Sequence, residues 1–191
     1  DLGAGGFGND YAFLAGGDGF EALWNNQDPN QILCGAQFNN LRKSRDGGRS
    51  AGPALTGLQD VGPGAAPFIT RLANSKKRPN TVFTVGYSGV WKSTDFGDNW
   101  SLTSLPRNQW TTGKSLEVEV STASPDVVWA GGTLSEDRRL FVSTDGGDAF
   151  TTVRPYDGVT LGRISGLGTH PVDDSTAYAL FSFAGRPKVI K

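Results

Sequence analysis

The chain has 191 residues, 37% of them hydrophobic, with 27 glycines and a formal net charge of −1. Glycine stands at roughly twice its average usage, and Asp outnumbers Glu 15 to 4 beside only 7 Lys, a balance that favours turns and strands over long helical bundles or coiled coils. The scattered basic residues give no footprint for nucleic acid or an anionic membrane, no apolar run nears the roughly 18 residues of a spanning helix, and the single Cys34 excludes an internal disulfide or a cysteine zinc site.

The chain opens Asp1-Leu2-Gly3 and contains no methionine, which marks a processed chain or an excised segment. Gly3–Gly8 and Gly16–Gly19 are glycine-rich, but neither follows a strand and opens a helix as a phosphate loop does, so both read as loops. Between them Tyr11-Ala12-Phe13-Leu14 is a short apolar run that its glycine-rich flanks weaken as a strand. From Phe20 onward a recurring order appears. An apolar or alternating run (Phe20–Trp24, Phe68–Ala73, Leu116–Val120, Ile164–Leu167) leads to a proline turn (Asp28-Pro29-Asn30, Arg78-Pro79-Asn80, Ser124-Pro125-Asp126, His170-Pro171-Val172). A second apolar run follows (Ile32–Cys34, Val82–Val85, Val127–Ala130, Ala177–Leu180), then a third short strand such as Gly89–Lys92 or Arg139–Val142. Within the first of these runs, Cys34 reads as a small buried hydrophobe. The third strand enters a turn of pattern S-x-D-x-G, seen in Ser44-Arg45-Asp46-Gly47-Gly48, Ser93-Thr94-Asp95-Phe96-Gly97 and Ser143-Thr144-Asp145-Gly146-Gly147.

The turn serines at 44, 93 and 143 set a period of about 50 residues, and four short strands per such period predict a β-propeller blade. One four-stranded sheet cannot bury both faces, so neighbouring units must supply the core. The fold class expected is therefore all-β, a propeller segment of about four four-stranded blades spanning 1–191, with approximate blades 16–63, 64–113, 114–160 and 161–191. In each turn the Ser hydroxyl and Asp carboxylate are suited to backbone N–H groups, and Gly takes the backbone conformation that a β-carbon opposes. Trp100 and Phe150 extend two of the turns to S-x-D-x-G-x-x-[W/F] and are expected to anchor the hairpin on its own blade, whereas Ala51 replaces the aromatic in the first. Ser44, Asp46, Gly48, Ser93, Asp95, Gly97, Trp100, Ser143, Asp145, Gly147 and Phe150 are thus read as structural.

Ser93 to Trp100 and Ser143 to Phe150 resemble Asp-box, or bacterial neuraminidase, repeats. The longer unit from Pro79 to Asp95 resembles the repeats of secreted bacterial propellers, relatives of the xyloglucanase and sortilin propellers often described only as glycosyl hydrolase repeat proteins. Gly16–Phe20 also resembles a segment found before a blade in that group. The resemblance covers about residues 16–191 and implies the propeller fold and a secreted or cell-surface location, while such repeats serve enzymes and binding proteins alike.

Chemistry is harder to place. A sialidase reading requires an Arg-Ile-Pro motif, and Arg163-Ile164-Ser165 lacks the proline. A xyloglucanase-like reading requires two carboxylates across a cleft; Asp18, Asp60, Glu117, Glu119 and Asp157 are candidates by composition, with Glu117 and Glu119 on one face of a strand. His170, the only histidine, has no visible partner and reads as a loop residue. Asp18, Asp173 and Asp174 lack the spacing of a calcium loop, so no metal or cofactor is expected. Trp110, beside Arg107 and Asn108, is the candidate binding aromatic, an indole that if exposed could stack on a sugar or anchor a protein contact; its other reading is a ring that caps the interface between blades.

The sequence thus points to a non-catalytic binding or assembly module, with part of a polysaccharide-active hydrolase as the alternative. Lys43 and Lys92 each precede a turn serine directly, and the last unit reaches the same point at Lys191. The fourth blade is therefore expected to lack its turn and outer strand, and the terminal blades to contact further blades of a parent protein or partner subunits.

Overall fold

The computed structural model describes residues 16–112, 115–156, 159–181 and 189–191. Four antiparallel four-stranded sheets follow one another along the chain, with short 3₁₀ turns the only helical pieces among the described residues. Sheet 1 holds β1 (Ala22–Trp24), β2 (Ile32–Gly35), β3 (Leu41–Ser44) and β4 (Gly52–Pro53) in chain order. Sheet 2 repeats that order with β5 (Leu72–Ser75), β6 (Arg78–Gly86), β7 (Gly89–Ser93) and β8 (Ser101–Leu102). β9 (Glu117–Val120) and β10 (Val128–Gly131) begin sheet 3, β11 (Thr133–Leu134) leaves it, and β12 (Phe141–Ser143) and β13 (Thr151–Thr152) complete it. Sheet 4 joins β11 to β14 (Gly162–Thr169), β15 (Ala177–Phe181) and β16 (Val189–Ile190). β11 is a departure from the boundaries read off the repeat, since it comes from the 114–160 unit yet pairs Thr133 with Arg163 and Leu134 with Gly162.

Alternation along each strand splits its side chains between two neighbours. On β6, Val82 joins Leu33, Leu41, Leu72, Trp91 and Trp100 in the core between sheets 1 and 2. Its Phe83 and Val85 join Val118, Val120, Val128, Phe141 and Phe150 between sheets 2 and 3. A smaller cluster of Leu134, Leu140, Leu161, Ile164, Ala179 and Phe181 lies between sheets 3 and 4. The stability of each sheet therefore resides in its seams.

The three S-x-D-x-G turns share one hydrogen-bond pattern. Ser44, Ser93 and Ser143 each donate Oγ–H to the turn aspartate at 2.8, 2.8 and 2.6 Å. Each hydroxyl also accepts the N–H of Gly48, Gly97 or Gly147 at 2.9, 2.8 and 2.8 Å. Asp46 Oδ1 then accepts the N–H groups of Arg49 and Ser50, Asp95 Oδ1 that of Asn99, and Asp145 Oδ1 those of Asp148 and Ala149. The Ser50 hydroxyl first, with the other donors, holds the Asp46 carboxyl below the ordinary carboxylate range, and Ser143 with the backbone donors does the same for Asp145. Burial works against them at Asp95, but the bonds from Asn99 and Ser93 prevail and its carboxyl is also held low.

The aromatic of the turn behaves differently from the sequence expectation. Trp100 and Phe150 do not simply cover their own hairpins; each is driven into the seam with the preceding sheet, where a large ring gains the most burial. Trp100 donates Nε1–H to Ala54 O at 3.0 Å, and its backbone N–H reaches Thr56 O. Phe150 likewise donates its backbone N–H to Ser104 O. The turn glycine follows it in. At Gly147, φ +85°, an added β-carbon would stand 2.2 Å from the Phe83 ring, and at Gly97 it would stand 3.0 Å from Leu33. Only glycine allows that approach.

An ionic clamp accompanies each of the first two seams. Lys43, 1% exposed, sits 3.0 Å from Asp98 Oδ1, donates to Asp95 O and lies 5.4 Å from the Phe96 ring centroid. Lys92 repeats the arrangement one sheet on, 2.7 Å from Asp148 Oδ1.

Candidate functional site

The S-x-D-x-G turns and proline turns lie at one end of the sheets. The opposite, upper end carries the β2–β3 and equivalent connections and the starts of the inner strands β1, β5 and β9. Three charged residues occupy the same repeat position there: Glu21 just before β1, Arg71 just before β5 and Glu117 opening β9. Arg71 Nη1 lies 3.0 Å from Glu21 Oε1, and its Nη2 and Nε meet Glu117 at 3.0 and 2.9 Å. One guanidinium thus ties three sheets together. Burial pushes Glu117 up from the ordinary range and Arg71 pulls it back only partly. Arg71 is itself held above its ordinary value, because Glu117 and Glu21 outweigh its burial.

Glu119 lies two residues further along β9, on the same face as Glu117, but no ion pair reaches it among the described residues. Burial, with Glu21 and Glu117 nearby, pushes its carboxyl up to about 7. The paired carboxylates read from the sequence therefore divide into a salt-bridged group and an isolated one.

Beside this network three phenylalanine rings converge. Phe68 stands edge-on to Phe20 and Phe38, with centroids 5.5 and 5.3 Å apart. Phe68 and its neighbour Ile69 are 43% and 38% exposed, shortly before Arg71 in the chain, and Phe68 packs on Phe20, the residue before Glu21. Phe38 is held in the left-handed region at φ 58°, and Asn39 beside it at φ 56°. Such a conformation in a bulky residue persists only where its surroundings over-determine it. Asn39 supplies that constraint. Fully buried, it donates Nδ2–H to Asp60 O and Val85 O at 3.0 and 2.8 Å, and its backbone N–H to Thr70 Oγ1 at 2.9 Å.

Trp110 does not join this surface. It is 2% exposed, donates Nε1–H to Gly86 O at 2.9 Å and packs 5.5 Å from the Phe141 ring. Of the two readings of Trp110, the exposed binding indole is corrected and the interface cap is what the structure shows, because the loop carries the ring inward to a carbonyl that satisfies its only polar atom. Arg107 and Asn108 remain exposed on a 3₁₀ turn, and Asn108 O accepts from Arg138.

The other candidate acids divide similarly. Asp60 is buried and accepts Ser88 N–H, Ser88 Oγ–H and Trp91 Nε1–H at 2.7, 2.8 and 2.9 Å, which fixes it as a structural acceptor. Asp18 is exposed, and Asp157 lies outside the described residues, as do Gly3–Gly8 and Tyr11–Leu14. His170 Nδ1 accepts the N–H of Asp173 at 3.0 Å, closing its own turn. Asp173 is brought down to about 2 by Ser175 and Thr176, and Asp174 is exposed. Cys34 is half-buried, and burial pushes its thiol up. No group of three His, Cys, Asp or Glu among the described residues is placed to hold a metal. The sequence reading missed Glu21, Arg71 and Phe38. Charges of alternating sign at one repeat position were the available signal for the first two.

No protein-family model and no curated protein matches the chain. Among solved structures, an ancestral GH74 enzyme superposes with a TM-score of 0.64 at 16% identity, over 85% of this chain and 22% of that one. The GH74 enzyme of Niastella koreensis gives 0.62 at 17% identity, over 93% of this chain and 28% of that one. YCF48 bound to D1 peptide gives 0.55 at 15% identity, over 87% of this chain and 49% of that one. At such identities the likeness establishes the fold, a β-propeller segment. The chain spans about a quarter of these enzymes and half of YCF48.

Proposed function

We propose that the chain is part of an Asp-box repeat propeller of a secreted or cell-surface protein and serves as a non-catalytic binding or assembly module. Its ligand is a cationic peptide segment bearing an apolar side chain, bound on the upper end of sheets 1 to 3. The carrying observation is the contiguity of exposed Phe68 and Ile69 with the Glu21–Arg71–Glu117 network. There one arginine faces the two carboxylates of Glu21 and Glu117, leaving an excess of negative charge beside an apolar platform. Such a pairing suits a lysine- or arginine-containing peptide, whose charge steers it and whose apolar residue anchors it. Further blades of the parent protein, or partner subunits, complete the assembly.

The alternative is a polysaccharide-active propeller. Glu119 supports it, since a carboxyl titrating near 7 suits a general acid. Its second carboxylate would come from outside this segment, because Glu117 is committed to Arg71.

Calorimetric titration with a Lys/Arg-containing peptide, a neutral peptide and xyloglucan oligosaccharides, run beside a reducing-sugar assay, separates the readings. The expected result is binding of the cationic peptide alone, weakened by salt and abolished by Phe68→Ser, with no sugar released. Sugar release that disappears in Glu119→Gln would transfer the assignment to the hydrolase, and equal binding of the neutral peptide would remove the charged network from the site.

A further inference from the structure

Glycine follows aspartate at four places in the chain, 18–19, 46–47, 145–146 and 157–158, the last outside the described residues. Such a pair is chemically reactive. With no β-carbon on the second residue, its backbone nitrogen can approach the aspartate Cγ closely. Attack forms a C–N bond and breaks the carboxyl C–O bond, and the hydroxyl leaves with the amide proton as water. The succinimide ring then takes water back. Breaking the bond from the ring nitrogen to Cγ restores aspartate. Breaking its bond to the original backbone carbonyl carbon leaves isoaspartate, whose chain runs through Cβ and Cγ and is one carbon longer. Water is lost and regained, so mass and charge are unchanged.

Two of the described pairs are locked against this closure. Gly47 donates its N–H to Asn30 O at 3.0 Å, and Gly146 to Asp126 O at 2.8 Å. The aspartates are fixed as well. Asp46 Oδ1 accepts from Ser44 and from the N–H groups of Arg49 and Ser50, and Asp145 Oδ1 from Ser143 and the N–H groups of Asp148 and Ala149. Nitrogen and carboxyl cannot turn toward each other until the turn opens. The same bonds hold both carboxyls ionised, and a carboxylate is the poorer electrophile.

Asp18–Gly19 has none of this protection. Both residues are exposed, and among the described residues no hydrogen bond reaches the Asp18 carboxyl or the Gly19 N–H. The chain on either side is anchored. Asp18 donates its backbone N–H to Gln37 Oε1 at 3.0 Å, and Phe20 donates its own to Gly35 O at 3.0 Å. Phe20 carries its ring against Phe68, and Glu21 follows it to Arg71. The reactive pair thus occupies a short free span between two fixed points, at the edge of the aromatic platform.

We propose that Asp18–Gly19 is a site of spontaneous isoaspartate formation, and that the added backbone carbon frees Phe20 from Gly35 and loosens its contact with Phe68. The modification is the chain's own chemistry and does not rest on the ligand assigned to the upper end.

The test keeps the folded chain at neutral pH for several weeks and locates isoaspartate by peptide mapping with fragmentation that separates it from aspartate. Position 18 should carry roughly tenfold more than positions 46 and 145, because the two turns must open before they react. In guanidinium chloride the three should react at comparable rates. Gly19 lies outside the left-handed region and a β-carbon there meets nothing within 4 Å, so Gly19→Ala should keep the fold and suppress the reaction at 18. In the purified isoaspartyl chain the Phe20 amide should exchange hydrogen roughly tenfold faster, while the Gly48 and Gly147 amides keep their rates. Equal isoaspartate at the three positions of the folded chain, or none at 18, would overturn the proposal. So would an isoaspartyl chain whose Phe20 amide exchanges at the original rate.

Discussion

Between sheets 1 and 2, Leu33, Leu41 and Ala54 close around Trp100 and Phe96, and Lys43 is locked to Asp98 across the same boundary. Between sheets 3 and 4 the corresponding Trp129, Leu140 and Val153 line an open cleft, and Val142 replaces the lysine. The order of the three successive hairpin strands is alike in both places, but sheet 4 also takes in β11, and its β14–β15 pairing shifts register between Ile164 and Gly166. An S-x-D-x-G turn closes its hairpin through Ser and Asp, but its glycine and aromatic act on the sheet before it. It is a joint between blades.

The sharpest way to break that contrast is to empty the filled seam. Trp100→Ala should cost about 3–5 kcal/mol, since it removes a buried ring and leaves Ala54 O without its donor. Trp129→Ala, its side chain facing a cleft, should cost under about 2 kcal/mol. Denaturant unfolding of the two variants measures both, and equal losses would show that the seams are equally packed after all.

A second test compares the two clamps. Lys43 is 1% exposed, so Asp98→Ala would leave a buried ammonium with Asp95 O and the Phe96 face but without its carboxylate partner, a loss of about 3 kcal/mol. Lys43→Met, which removes the charge and keeps the volume, should recover most of that loss in the double variant. The Lys92 clamp is open to water, with Asp148 73% exposed, and Asp148→Ala should cost under about 1 kcal/mol and lose even that at high salt. Comparable costs at the two clamps would mean that burial is not what distinguishes them.

These expectations show how far the repeat could be read. Period, strand order and the Ser and Asp roles were legible because backbone pairing and local hydrogen bonds depend on neighbours in sequence. The destination of Trp100 was not, because an aromatic's period says only that it is buried, while the partner face belongs to residues some fifty positions earlier. Trp110 stayed open between two readings for the same reason. Its polar neighbours Arg107, Asn108 and Gln109 suggested exposure, yet the ring turns away from them to Gly86 O. Phe38 carried no signal at all, because its left-handed backbone is imposed by Asn39, whose bonds to Asp60 and Val85 are visible only once the chain is folded. The Glu117–Glu119 spacing gave the shared face correctly, but Arg71, which separates the two chemically, lies on another sheet.

Glu119 offers the finest test, because it pairs directly with Trp129 and so stands on the face of sheet 3 turned toward the open seam. Its carboxyl holds a proton up to about pH 7 in the folded chain but loses it near 4.5 when unfolded. Between those values the folded state binds more protons, so stability falls as pH rises; the contribution is whole below about pH 4.5 and gone above about 7. With its partial exposure discounted, the loss should be roughly 2 kcal/mol. Glu117, raised in the same direction, adds to the slope, whereas the turn aspartates, all held low, act only at more acid pH. Glu119→Gln should flatten most of the decline between pH 5 and 8 and make the chain the more stable of the two at pH 8. A Glu119→Gln profile that kept the wild-type slope would place the titration elsewhere and leave the open seam without electrostatic consequence.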